Sequence, residues 1–151
     1  MISSDENLMK QALEAAGVYN GSDLPVGAIV VNQSGSVLTA SKNAVITNRD
    51  PSAHAEIIAL RQLGAISRNE AAELTLVVTL EPCPMCAWLI RLTGIGKVIF
   101  GAYNPNYGAA GSVFDLLRDG RFGLQTEVGG GVMEEACRRS LGEAFADIRH
   151  T

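Results

Sequence analysis

Two short segments hold most of the side chains capable of chemistry, DPSAHAEIIALRQ at residues 50–62 and LEPCPMC at residues 80–86. The first reads as the start of a helix capped by Asp50, with Pro51 at its first position and His54 and Glu56 in its first turn. Nothing in such a start requires His54, and the only other histidine in the chain is His150. The second segment also opens a helix, where Pro82 and Pro84 are tolerated because first-turn N–H groups lack partners. Cys83 and Cys86 then share one face of one turn. A helix N-terminus favours the thiolate, which is the form that binds metal.

Side chains in a helix lean back toward its N-terminus. If the two helix starts lie side by side at one edge of a sheet, His54, Cys83 and Cys86 converge on one point. A Cys₂His set leaves one coordination position open, as catalytic zinc sites do and structural sites do not. The expectation is one zinc ion per chain, its formal charge cancelled by two thiolates. Residues i and i+2 of a helix face apart, so Glu56 is not read as a fourth ligand. It reaches the space ahead of the helix, where a carboxylate can take a proton from water and deliver it to a substrate. Each motif alone has a plainer reading. An HxE at a helix start is commonly chance, and a CPMC after a buried strand also suits a thioredoxin-like redox pair. A redox pair, however, would leave His54 and Glu56 without a role.

The elements that must position these groups follow from periodicity and punctuation. Ser3 and Glu6 have capping-box spacing for a helix running to Gly17. Strands are expected at 27–32 and 37–45, joined by the turn residues QSGS. A helix begins near Ala53 and is ended by Gly64, and LTLVVTL (74–80) suits a strand buried on both faces. A helix over 82–92 and a strand over 97–103 lead into the glycine-rich loop NPNYGAAGS. A short helix at 113–118, a weak strand at 125–128 and a last helix from 132 to about 148 complete the chain. Alternating strands and helices with one early hairpin imply a three-layer α/β/α sandwich around a central mixed five-stranded sheet. No repeat or linker divides it, so residues 1–151 are read as a single domain.

Composition bounds the remaining possibilities. The chain has 151 residues, 47% hydrophobic and 19% charged, which suits one globular domain with a sizeable core. No apolar run approaches the roughly 20 residues of a membrane span, and MISSDENLMK lacks the layout of a signal peptide. A cytoplasmic, reducing location is expected. Of the three cysteines, Cys137 lies in a helical pattern and reads as a small buried residue. The formal charge of −4 gives no general attraction to polyanions, so any nucleic-acid contact must be local.

His54-Ala55-Glu56 followed by Pro82-Cys83-Pro84-Met85-Cys86 resembles the signature of the cytidine-deaminase-like zinc deaminases. The resemblance continues through LPVGAIVV, KNAVITNRDPSAHAEIIALR, TLEPCPMCA and VIFGAYNPNYGAAGS, over about residues 5 to 148. Within that superfamily the chain is similar to the bacterial tRNA-specific adenosine deaminases. The resemblance implies a homodimeric enzyme that converts adenosine to inosine at the wobble position of a tRNA anticodon. It implies His54, Cys83 and Cys86 as zinc ligands, Glu56 as proton shuttle, and Asn43, at the end of the second strand, as a hydrogen-bonding partner of the base. An anticodon loop suits this chemistry, because its unstacked bases can be splayed into a pocket at low cost. Trp88 stands where the family usually has a small residue. Basic residues that RNA could use remain at Lys42, Arg49, Arg61 and Arg91, each read by default as solvated surface charge. A deaminase of a free base or nucleoside, of guanine or cytosine type, would use the same zinc chemistry without a macromolecular partner. Metal content separates these readings from a redox protein, and ammonia release separates them from a zinc-stabilised binding module.

Overall fold

The structure is a computed structural model that describes residues 4–142 and 144. Its first helix, α1 (Asp5–Ala16), is capped by Ser4, whose hydroxyl accepts the Asn7 N–H at 3.2 Å. The cap is therefore not the expected Ser3–Glu6 box; Ser4 offers the same hydroxyl one residue later, and Ser3 lies outside the described residues. Leu8, Met9, Ala12 and Ala16 bury one stripe of this helix.

β1 (Gly27–Val31) and β2 (Val37–Lys42) form the expected antiparallel hairpin. Asn32 sets its turn, with Oδ1 accepting from Ser34 N–H and Ser36 N–H. β2 stops at Lys42 and does not continue to 45, because residues 45–49 fold into turns pinned by Asp23. That carboxylate accepts the Ile46 N–H at 2.6 Å and also the Thr47 hydroxyl.

β3 (Thr75–Leu80) and β4 (Lys97–Ala102) are apolar runs buried on both faces, and β5 (Glu127–Gly129) is a three-residue edge. The sheet order is β2-β1-β3-β4-β5, with β1 antiparallel to both neighbours and β3, β4 and β5 parallel. This is the expected mixed five-stranded sheet.

Two close contacts define the layers. A Cβ on Gly27 would lie 2.1 Å from the Ala12 carbonyl of α1, and one on Gly101 would lie 2.2 Å from the Cys137 sulphur of α5 (Glu134–Leu141). Gly27 and Gly101 fall on one face by register, either side of Thr79. α1 and α5 therefore cover that face. Ser41 points to the opposite face, where its hydroxyl donates to the Ala55 carbonyl at 2.6 Å, so α2 (Ala55–Leu63) lies there with α4 (Pro84–Thr93) beside it.

Several boundaries differ from expectation for local reasons. α2 begins at Ala55 with His54 as its N-cap. Asp50 instead closes its own turn by accepting the Ser52 N–H and hydroxyl. Pro84, not Pro82, opens α4, and Cys83 is the N-cap. A four-residue helix, α3 (Arg68–Ala71), is too short to leave a periodic signal. Residues 113–118 form a bend, a bridge from Asp115 to Ala110 and a turn rather than a helix, tied back by Phe114 N–H to Gly108 O and Leu116 N–H to Ala109 O. One turn of 3₁₀ helix follows at Gly120–Phe122. The part of the expected last helix beyond residue 144 lies outside the described residues. Among those described, no helix is long and apolar enough to cross a membrane.

Candidate active site

Strand directions bring four connections to one edge of the sheet. β3 and β4 end there, β2 ends there, and β1, running the other way, begins there. Val26, Asn43, Glu81 and Asn104 therefore flank the same pocket, which His54, Glu56 and Cys83 complete. Crevices outside the carboxyl ends of parallel strands are where open α/β sheets bind ligands.

His54 and Cys83 are both N-caps with extended backbone, which turns their side chains out of the helices and toward each other. His54 Nδ1 lies 3.5 Å from Cys83 Sγ and 3.3 Å from Cys86 Sγ. All three are buried, and their donor atoms lie within 4.8 Å of one another. Tetrahedral zinc with Zn–S of about 2.3 Å and Zn–N of about 2.0 Å needs S···N separations near 3.5 Å. The donor set, its spacing and the buried position thus fit a zinc ion held by these three residues.

The electrostatics are those of a confined acid–base cluster. Cys83 is pulled down to about 4, chiefly by the hydrogen bond from the Cys86 thiol, with His54 helping against the burial that opposes it. Cys86 is pushed well up by donating that bond and by burial. Burial likewise raises the Glu56 carboxyl, opposed by the His54 charge and reinforced by Cys83. Glu56 is 4% exposed and lines the pocket without belonging to the ligand trio.

Asn43 is 3% exposed. Among the described residues its amide N–H reaches only the Leu24 carbonyl, at 3.4 Å, and its Oδ1 has no hydrogen-bond partner. A buried acceptor left open costs free energy unless something fills it, and this one borders the pocket.

Two groups lining the site were not singled out by sequence reasoning, and a third residue was given another role. Asn104 lines the pocket and uses Oδ1 to close its own turn onto Asn106 N–H and Tyr107 N–H. Glu81 is a fully buried carboxylate directly before the Pro82–Cys83 step. An acid between an apolar strand and a proline was the available signal for it. Arg91, counted among the basic residues available for RNA, is instead buried. Its guanidinium donates to the carbonyls of Leu116, Asp119, Gly123 and Leu124 and stacks near the Phe122 ring. It anchors the segment after the glycine-rich loop and does not face solvent. Lys42, next to Asn43 in sequence, and Arg49 are exposed, and Arg61 is exposed with Asp50 at 4.0 Å.

Comparison with known proteins places these features in a lineage. Residues 2–102 match the model of the cytidine and deoxycytidylate deaminase zinc-binding region. The chain is 37% identical over 150 residues to the tRNA-specific adenosine deaminase of Bacillus subtilis, covering 98% of this chain and 92% of that protein. It is 40% identical over 148 residues to the tRNA-specific adenosine deaminase of Haemophilus influenzae, covering 96% and 85%. A solved tRNA:A34 deaminase, studied for A-to-I editing at the wobble position of transfer RNA, superimposes with a TM-score of 0.76 at 30% identity, over 88% of this chain and 97% of that one.

Proposed function

The chain belongs to the zinc-binding cytidine and deoxycytidylate deaminase family, and from that premise we propose that it is a zinc-dependent hydrolase converting adenosine to inosine at the wobble position of a tRNA anticodon. The observation that carries this reading is the buried His54–Cys83–Cys86 trio with Glu56 beside it, in a chain 37–40% identical to tRNA-specific adenosine deaminases over nearly its whole length.

His54 Nδ1 and the two sulphurs would hold one zinc ion, and its chemistry when bound would be to lower the pKa of water toward neutrality. Glu56 is the group that accepts a proton from the attacking water. Its raised affinity for protons, due first to burial, suits it to carry the proton onward to a ring nitrogen and then to the departing amino group. The balance is adenosine and water in, inosine and ammonia out. Asn43 offers its buried Oδ1, unpartnered among the described residues, to an N–H of the nucleoside. Lys42, the sequence neighbour of Asn43, and Arg49, both exposed, serve as local phosphate contacts on a chain whose net charge is −4.

A homodimer also belongs to this reading. Met85, Trp88 and Leu92 form an exposed apolar stripe along α4, continued by Phe122 packed edge-on against Trp88. Contiguous apolar surface of this kind marks an interaction face, and the stripe starts beside the ligand-bearing turn of α4. A cytoplasmic setting fits the three free cysteines and an RNA substrate.

The test is a substrate panel. The enzyme should release ammonia from an anticodon stem-loop carrying a wobble adenosine and leave free guanine, cytosine, adenosine and cytidine intact. Efficient turnover of a free base or nucleoside with an untouched stem-loop would replace the RNA reading with a small-molecule deaminase.

A further inference from the structure

Glu81 takes no part in the proton chemistry above, and no ion pair among the described residues involves it. It is nevertheless 1% exposed. A carboxylate so buried is tolerated only when its oxygens are filled. Oε1 accepts the Asn104 N–H at 3.1 Å and the Ser112 hydroxyl; Oε2 accepts the Ala110 N–H at 3.0 Å and the Ser112 N–H at 3.1 Å. All four donors belong to the glycine-rich segment 104–112. The same segment leans on the connector through Ala109 N–H to the Pro82 carbonyl at 2.8 Å. A Cβ on Gly108 would lie 2.4 Å from Oε1, so only glycine lets the loop close this tightly over the carboxylate.

One end of this arrangement is the pocket wall, because Asn104 lines the pocket. The other end is the connector that delivers Cys83, two residues on. The Glu81 side chain, with the Ala109–Pro82 hydrogen bond beside it, therefore ties the wall to the connector. Resting on the deaminase reading, we infer that Glu81 is a positioning residue, which holds the 104–112 loop in the shape that receives the substrate nucleoside.

Glu81→Gln tests this in the zinc-loaded enzyme. It keeps the shape, but whichever way the amide turns, its NH₂ faces at least one main-chain N–H donor, Asn104 on one side or Ala110 and Ser112 on the other. Zinc content should stay at the wild-type level. The competent loop arrangement becomes a minor population, and apparent affinity falls in proportion. KM for the stem-loop should therefore rise about tenfold or more, with kcat little changed. Amide exchange at Asn104, Ala110 and Ser112 should accelerate while the β3 and β4 amides keep their protection. A merely architectural role would lower kcat with the folded fraction and leave KM alone; that result, or wild-type KM and exchange, overturns the proposal. Ser112→Ala and Gly108→Ala perturb the same contact while keeping the carboxylate. Both should raise KM in the same direction, and Ser112→Ala should add little in the Glu81→Gln background. If Glu81→Gln does not fold, an unchanged KM in both milder variants overturns the inference, and a raised KM supports it. The exchange measurement needs no substrate, so an inert stem-loop would count against the RNA reading and not against Glu81.

Discussion

Replacing Arg91 by methionine should reveal whether this cation serves the fold or the RNA. Its guanidinium reaches four main-chain carbonyls, at 2.8 Å (Leu116), 2.6 Å (Asp119), 3.2 Å (Gly123) and 2.8 Å (Leu124). Hydrogen bonds from a charged donor contribute roughly 1.5–3 kcal/mol each, and a stranded buried acceptor costs roughly 1–3 kcal/mol. The four do not add independently, and water can reach the outer part of the segment, where Leu124 is 95% exposed. Methionine also keeps much of the aliphatic packing. The net loss should be about 3 kcal/mol, near the low end for breaking a buried charged network. At this chain length, that lowers the melting temperature by about 6–12 °C. Urea melts followed by circular dichroism would read it as a shifted midpoint with an unchanged slope. The salt dependence of stem-loop binding should not change, because a buried guanidinium neutralises no phosphate. Lys42→Gln should behave in the opposite way, with stability near wild type and a salt slope smaller by about 0.7. A methionine variant that melts within a degree of wild type and binds RNA with a reduced salt slope would refute the structural assignment of Arg91.

Other outcomes follow from the site and its surroundings. Cys83→Ser and Cys86→Ser should each lose most of the zinc seen by elemental analysis; zinc at the wild-type level in both would remove them from the ligand set. Glu56→Gln should keep zinc and fold while losing about 10²–10⁴-fold in turnover, whereas loss of metal would make Glu56 a ligand. Cys137 is held protonated by burial, its pKa pushed up from 9.0 to about 11. Its contribution is complete below the unfolded value and disappears as pH rises from about 9 through about 11. Wild-type stability should therefore fall more steeply than that of Cys137→Ala between pH 8 and pH 11; parallel curves would contradict this. Trp88→Glu on the exposed stripe of α4 should shift the protein toward monomer in sedimentation, and an unchanged species would place any dimer elsewhere.

The chemistry was more legible in the chain than the exact starts of its elements. HxE and PCxxC carry their meaning in residue type and spacing, and the alternation of apolar strands with helices dictates which ends must meet. Helix starts were misread because several residues near each start could serve as caps. Asp50 spends its carboxylate on Ser52, which leaves His54 as the N-cap, and that extended backbone helps aim its ring at the cysteines. Residues 113–118 have helical composition, yet hydrogen bonds back to Gly108 and Ala109 hold them as a bend, a bridge and a turn. Arg91 and Glu81 were opaque for a shared reason. Each is a charge satisfied by main-chain groups more than twenty residues away in sequence, and such partners leave no local pattern.

The most direct measurement uses a tRNA with a single wobble adenosine, incubated with the zinc-loaded enzyme in ¹⁸O-labelled water and then digested for nucleoside mass spectrometry. Hydrolytic deamination by this site should yield inosine at that position alone, with its new oxygen drawn from solvent, ammonia released in equal amount, and no product from Glu56→Gln. Intact adenosine in the tRNA, or equal product from the Glu56→Gln enzyme, would contradict it.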